Sequence, residues 1–124
     1  MEFRTKVELP VKGPKLHHSD KLMIWGSCFS EHIGNLLMEN KFTCDMNPFG
    51  VLYNPLSIAT SIQCLLEGTC YEPKDLHHTD DTWYSLMHHS CFSAASQEEC
   101  LGKINERIRK GHANLLQADW ILIT

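Results

Sequence analysis

The sequence lacks a long apolar run. All of its apolar stretches are shorter than the ~18 residues that a membrane-spanning helix needs. The first ten residues, MEFRTKVELP, carry charges where a signal peptide has its apolar core. We therefore expect a soluble, cytoplasmic protein that has no membrane partner.

An excess of positive charge is also missing. The formal net charge is −4 at pH 7, with 11 Lys and Arg residues against 15 Asp and Glu residues. The one basic cluster, within residues 107–110, lies in a predicted helix that also carries Glu98, Glu99 and Glu106. A composition of this kind does not favour nucleic-acid binding, so we expect no nucleic acid as a partner.

Closely spaced cysteines are absent too. The six cysteines are scattered and form no C-x-x-C pair, which argues against a disulfide framework and favours reduced thiols. Histidines occur as the adjacent pairs at 17–18, 77–78 and 88–89, but neighbouring residues rarely bind one ion together, and no HExxH motif is present. We predict no metal site and no cofactor.

What is present is the succession of apolar strands and amphipathic helices typical of an α/β protein. Residues 22–25, 41–45 and 118–124 predict strands, and the first and last of these indicate parallel strands buried on both faces. Residues 3–9 alternate between apolar and charged side chains, which predicts either a short edge strand or an extended arm.

Three helices are predicted between the strands. The first follows Ser30 as its N-cap and has its apolar face at residues 33–37. The second runs from the N-cap Asn54 to a left-handed stop at Gly68. The third, residues 96–117, begins with a capping box.

The remaining segment, residues 69–95, is polar and poorly periodic, and we predict a long surface excursion there. The order β-α-β-α-α-β predicts a parallel sheet between helix layers. With its last apolar strand at residues 118–124, such a sheet would expose an apolar edge, which natural domains avoid. We therefore expect residues 1–124 to form a single domain that is the N-terminal part of a larger α/β domain, truncated at its carboxyl end.

The stretch WGSCFS, residues 25–30, puts two candidate nucleophiles at a turn between a strand and a helix. A thiol there faces the positive end of the helix dipole and free N–H groups, which stabilise a thiolate, so Cys28 is one candidate. Each residue also has a structural explanation, because free cysteines are often buried and the hydroxyl of Ser27 can cap the helix. The residues alone leave both nucleophiles open.

Five segments taken together resemble the GSCFA family: MEFRTKVELP, WGSCFS, NPFGVLYNPLSIA (residues 47–59), HHSCFS (residues 88–93) and ADWILIT (residues 118–124). The pattern of that family is similar to that of the SGNH/GDSL hydrolases. The resemblance implies a flavodoxin-like three-layer α/β/α fold, of which this chain supplies about three parallel strands. It also implies a nucleophile directly after the first strand.

Matched residue by residue, the resemblance places Gly26 at the glycine of the nucleophile turn and Cys28 at the nucleophile itself. A shift of one position selects Ser27 instead. Gly50 corresponds to the glycine whose backbone N–H helps to bind the oxyanion, and Asn54 is a further candidate beside it. Both glycines could instead serve only as left-handed turn residues.

His88 and His89 belong to one of the segments that carry the resemblance, which places them beside the cleft without making either the general base. The blocks that supply an Asn and the general-base His in those hydrolases have no counterpart in the 124 residues. Two functions stay open. One is an SGNH-like hydrolase of a small-molecule or carbohydrate ester, and the other is a non-catalytic α/β binding module or an inactive fragment.

Overall fold

The computed structural model describes residue 1 and residues 3–124. Within them the chain forms a parallel three-stranded sheet, a two-stranded hairpin and three α-helices. The parallel α/β architecture predicted from the sequence is confirmed. In chain order the elements are β1 (Lys21–Trp25), α1 (Cys28–Glu39), β2 (Thr43–Met46), α2 (Pro55–Glu67), β3 (His77–Thr79), β4 (Thr82–Tyr84), α3 (Gln97–Gln117) and β5 (Trp120–Ile123).

The main sheet has the strand order β2-β1-β5, and both pairings of β1 are parallel. Successive residues of a strand point to opposite faces, so β2 shows which helix covers which face. Met46 lies against Gly34 of α1, whereas Asp45 binds Arg107 of α3. The helices α1 and α3 therefore cover opposite faces, and β1 is buried between them, as predicted.

The main core lies between the sheet and the pair α2 and α3. Met23 and Trp25 of β1 contribute to it, and the helices supply Ile58, Leu65, Ile104, Ile108 and Leu115. Gly111 lets the two helices approach closely, because a Cβ at that position would come within 3.0 Å of Leu65 Cδ2. The glycine that interrupts the apolar repeat of α3 is thus a packing feature of the helix pair.

The start of α1 differs from the prediction. The N-cap is Ser27 rather than Ser30, and its Oγ accepts a hydrogen bond from Phe29 N at 3.3 Å. Ser30 is buried inside the helix, where its Oγ donates to Trp25 O at 3.1 Å and also bonds Thr124 Oγ1. The hydroxyl expected to cap a helix therefore joins α1 to the ends of two strands.

The buried face of α1 also differs from the prediction. Its fully buried residues are Ser30 and Gly34, while Leu36 is 42% exposed. The small residues let α1 lie close to β2, since a Cβ on Gly34 would meet Met46 Sδ at 2.5 Å. Apolar periodicity selects large side chains and so overlooks a helix face made of small ones.

The predicted boundaries of α2 and α3 are confirmed. Asn54 Oδ1 accepts from Leu56 N at 2.8 Å at the start of α2, and Gly68 ends the helix at φ 60°. Ser96 Oγ accepts from Glu99 N at 3.1 Å at the start of α3. None of the helices in the described part of the chain combines the length and the apolar character required to cross a membrane.

The prediction of a surface excursion at residues 69–95 is wrong in part. The segment contains the hairpin of β3 and β4 as well as two short 3₁₀ turns, and it buries Leu76 and Ala94 in the core. Asn105 of α3 holds it in place through two hydrogen bonds with the backbone of Tyr71, at 2.7 and 3.0 Å. Its apolar residues lack a regular spacing, which is why periodicity does not detect the packing.

Two segments near the ends of the sequence are exposed to solvent. The strand β5 is not buried on both faces, because Ile121 and Ile123 are 48% and 58% exposed. Residues 3–9 are exposed and form no strand, which agrees with the arm rather than the edge strand. Glu2, which takes part in the alternating pattern, lies outside the described residues.

Candidate functional site

The turn between β1 and α1 presents Cys28 at the molecular surface. Cys28 is the first residue of α1 and is exposed, whereas Ser27 before it is partly buried. The first N–H groups of a helix have no acceptor inside the helix, and this end of the helix dipole favours a negative charge. Ser27 Oγ accepts from Phe29 N and so caps the helix, whereas the thiol of Cys28 is exposed at the turn.

Gly26 allows the chain to turn from β1 into α1. Its φ is +147°, and a Cβ there would lie 2.5 Å from Ser30 Oγ and would also overlap Thr124. Leu52 N donates to Gly26 O at 3.0 Å, which fastens the loop after β2 to the same turn. Only glycine fits a position with this backbone conformation and these neighbours.

Asn47 joins the same turn from the end of β2. The residue is buried, with 6% of its surface exposed, and its Oδ1 accepts from Gly26 N at 2.9 Å. Its backbone N–H donates to Ile24 O at 2.8 Å. Among the described residues its Nδ2 has no hydrogen-bond partner, and leaving such a donor buried costs about 1–3 kcal/mol.

Gly50 lies in the loop after Asn47, with φ +84°. Its N–H donates to Asn47 O at 2.8 Å, so the N–H expected to bind an oxyanion is engaged in a turn. A Cβ on Gly50 would overlap the Cβ of His89, whose N–H donates to Phe49 O at 2.8 Å. The glycine therefore lets the histidine segment pack against the loop that follows β2.

His88 lies in an aromatic cluster beneath this loop. Its ring stacks on Phe49 with centroids 4.0 Å apart and makes edge contacts with Tyr71 and Phe92. Its Nδ1 bonds Ser85 Oγ at 2.9 Å, while its Nε2 is buried without a partner among the described residues. Burial lowers the pKa of His88 to about 4, so the ring is neutral at pH 7 and is a weak proton acceptor.

The other two polar candidates are more exposed. His89 lies on the surface, and its Nδ1 accepts from Cys91 N at 3.2 Å. Asn54 is exposed as well, and its Oδ1 is used as the cap of α2. The cap explains the presence of Asn54, and a contact of either residue with a substrate stays a prediction.

The sheet brings several of these residues to one edge. In the sheet register Ile24 lies beside Met46 and Trp25 beside Ile123, so the carboxyl ends of the three parallel strands are level. Asn47 follows β2, Thr124 follows β5, and the turn with Cys28 lies between them. In open α/β sheets the carboxyl edge of the strands is where ligands bind.

The other thiols divide into exposed and covered ones. Cys70 and Cys91 are exposed like Cys28. Burial raises the pKa of Cys44 to about 11 and also raises the pKa of Cys64 and of Cys100. The described residues include no group of three or more His, Cys, Asp or Glu side chains arranged to hold a metal ion.

The model of the GSCFA family matches residues 21–124. The chain belongs to the GSCFA family. No curated protein and no solved structure matches the chain. The family match includes the turn after β1, the loop after β2 and the whole of β5, so every residue of the carboxyl edge lies within the GSCFA region.

Sequence reasoning missed three residues at the edge of this GSCFA sheet. From the sequence, Asn47 is only the first residue of a segment that resembles the GSCFA family, Ser30 is predicted as a cap and Thr124 as the end of a strand. The available signal was that Asn47 and Thr124 are polar residues placed directly after parallel strands, where functional side chains of α/β proteins gather. The role of Ser30 depends on contacts across 94 residues and has no local signal.

Proposed function

We propose that this GSCFA protein hydrolyses esters and that Cys28 is its nucleophile. The observation that carries the proposal is an exposed thiol at the first position of α1, directly after the central strand of a parallel sheet. The dipole of α1 favours the thiolate, which is the reactive form of a cysteine. The strand order β2-β1-β5 is compatible with a flavodoxin-like fold of the SGNH type, whose ligand crevice lies at this edge.

Cys28 is a better candidate than Ser27 for two reasons. The Oγ of Ser27 is engaged as the cap of α1, and its side chain is less exposed than the thiol. A serine hydroxyl also needs a base beside it, whereas a cysteine is partly ionised at neutral pH. No hydrogen bond links Ser27 to a histidine among the described residues.

The proposed reaction proceeds through a thioester. The thiolate of Cys28 attacks the ester carbonyl carbon, and the resulting tetrahedral intermediate expels the alcohol as an alkoxide, which takes a proton from water. Water then hydrolyses the thioester, which releases the acid and regenerates the thiol. The backbone N–H of Cys28 is a suitable donor to the oxyanion, and Gly50 N–H is a second donor if its bond to Asn47 O opens.

In this proposal Gly26 shapes the turn, and Asn54, His88 and His89 border the substrate. The substrate class is a small-molecule ester, including an acyl group on a carbohydrate, as the resemblance to the SGNH hydrolases implies. His88 is not the general base of the reaction, because its pKa is lowered to about 4 and its Nε2 is enclosed.

One observation favours a different class of function, a non-catalytic α/β binding module. Among the described residues no histidine is hydrogen-bonded to Cys28 or Ser27, and the Nε2 of His88 is buried without a partner. Without a base, the same edge of the sheet could bind an ester or its acid without cleaving it. The two functions differ in whether an acyl group is transferred to the protein.

The deciding experiment is hydrolysis of an aryl acetate by the wild type, Cys28→Ala and Ser27→Ala. We expect Cys28→Ala to abolish the activity and Ser27→Ala only to reduce it. Cys70→Ala and Cys91→Ala are matched controls, because these cysteines are also exposed but lie outside the turn. Mass spectrometry of quenched reactions should find an acetyl group on Cys28. Full activity of Cys28→Ala would contradict the assignment, and binding without turnover would support the binding module.

A further inference from the structure

Asn47 holds the end of β1 at two points. Its backbone N–H donates to Ile24 O at 2.8 Å, and its side-chain Oδ1 accepts from Gly26 N at 2.9 Å. The second bond is buried, and it fixes the residue from which the chain turns into α1. Cys28 follows Gly26 by only two residues, so the position of the thiol depends on this bond.

Asn47 combines a left-handed backbone with an unpaired buried side-chain donor. Its φ is +44°, in the left-handed region that asparagine tolerates better than most residues but still at a cost. Its Nδ2 is buried without a partner among the described residues. Strained backbone and unpaired buried donors recur at functional sites, where the surrounding structure holds them in place.

The loop after Asn47 closes the arrangement. Gly50 N donates to Asn47 O at 2.8 Å, and Leu52 N donates to Gly26 O at 3.0 Å. The segment that follows β2 therefore binds both the N–H and the C=O of Gly26. A displacement of Asn47 would release the turn and leave the first turn of α1, which begins at Cys28, free to fray.

We propose that Asn47 is a positioning residue for Cys28. Its carboxamide holds Gly26 so that the thiol stays at the positive end of the α1 dipole, where the thiolate is stabilised. This inference rests on the proposed function for its effect on ester hydrolysis. Its effect on the reactivity of the thiol does not depend on that function.

The test compares two variants of Asn47 in the full chain. Asn47→Gly keeps the left-handed backbone accessible and removes the carboxamide, whereas Asn47→Asp keeps an oxygen acceptor for Gly26 N. The rate at which iodoacetamide alkylates each cysteine is measured at one pH by peptide mass spectrometry. Cys70 and Cys91 serve as exposed internal references.

We expect Asn47→Gly to slow the alkylation of Cys28 about fivefold, the effect of losing a typical dipole interaction. Cys70 and Cys91 should react as in the wild type, and Asn47→Asp should recover most of the lost rate. In aryl acetate hydrolysis Asn47→Gly should lower kcat and leave KM unchanged. An asparagine that only stabilised the fold would change neither the Cys28 rate nor this division between kcat and KM.

The buried Cys64 and Cys100 report whether each variant is folded, because they react only when the core opens. If they react in Asn47→Gly, Asn47→Ser is examined in the same way, since its shorter side chain does not reach Gly26 N. Unchanged Cys28 alkylation in a folded variant that lacks the carboxamide would overturn the inference, as would a failure of Asn47→Asp to recover the rate. Absence of hydrolysis in the wild type would refute the proposed function alone.

Discussion

The guanidinium group of Arg107 on α3 binds both carboxylate oxygens of Asp45, near the end of β2. Its Nη1 donates to Oδ2 at 3.2 Å, and its Nη2 donates to Oδ1 and to Met46 O. Asn114, two turns further along the helix, donates to Oδ2 at 2.8 Å. The pair is largely shielded, with side chains 23% and 14% exposed, so it ties the sheet to α3 directly beside the loop that carries Asn47.

We expect Arg107→Ala to lower the free energy of unfolding by about 2 kcal/mol, because the carboxylate of Asp45 is left without its main partner in a shielded place. Arg109→Ala is the matched control, since Arg109 lies on the same helix but is exposed, and it should change stability by less than about 0.5 kcal/mol. Urea unfolding followed by tryptophan fluorescence measures both. Equal stability of the two variants would contradict a structural role for the pair.

Gly50→Ala should destabilise the protein by about 2 kcal/mol or more, because the position has φ +84° and the new methyl group would overlap His89. Gly102→Ala makes the same chemical change in α3, where a Cβ would meet nothing within 4 Å, and should stabilise by about 0.5–1 kcal/mol. Thermal unfolding compares the two. A neutral Gly50→Ala would show that the loop can move away from the histidine segment.

The stability of the protein should fall in acid because of His88. Its pKa is about 4 in the folded protein against 6.5 when unperturbed, so the unfolded chain takes up the proton first as the pH falls. Above pH 6.5 the ring is neutral in both states and costs no stability. As the pH falls from 6.5 to about 4, protonation of the unfolded chain progressively lowers the free energy of unfolding. The stability lost in this way is as much as about 3 kcal/mol.

His88→Phe tests this directly, since a phenyl ring can stack on Phe49 and cannot be protonated. We expect the variant to lose less stability than the wild type between pH 7 and pH 4 in urea unfolding. His32→Gln, which removes a histidine at an exposed position of α1, is the control variant. Parallel pH profiles for the wild type and His88→Phe would contradict the assignment.

Asn54 allows the cap of α2 to be separated from a role in substrate binding. Asn54→Ala should cost about 1 kcal/mol, and Asn54→Ser should restore most of it, because serine also caps helices. If the residue acts only as a cap, both variants keep the KM of the wild type for aryl acetates. A raised KM in Asn54→Ser, with stability intact, would show contact with the substrate.

The elements that were predicted correctly are specified by residues within or next to the element itself. The central strand at residues 22–25 is uniformly apolar, and α2 combines an N-cap Asn54, Pro55 at its first turn and Gly68 at its end. Each of these residues acts on its immediate neighbours. Such signals can be found without knowledge of the tertiary structure.

The errors arose where a residue acts across a long stretch of chain. Ser27 and Ser30 are both plausible caps, and only the contact of Ser30 with Thr124 shows that it is buried. Within the site, the sequence predicted the turn with Cys28. The role of the Asn47 carboxamide has no local signal, because its partner Gly26 lies in the turn after another strand, 21 residues away.

The pairing of β1 with β5 has a consequence for biosynthesis. The bond between Ser30 and Thr124 joins residues 94 positions apart, so β1 emerges from the ribosome long before its second neighbour is made. Until then the nascent chain shows an unpaired apolar strand edge, which invites association with other chains. The contact of Ser30 with Thr124 therefore forms only after β5 has been made, and so the helix turn that begins at Cys28 gains this support late in synthesis.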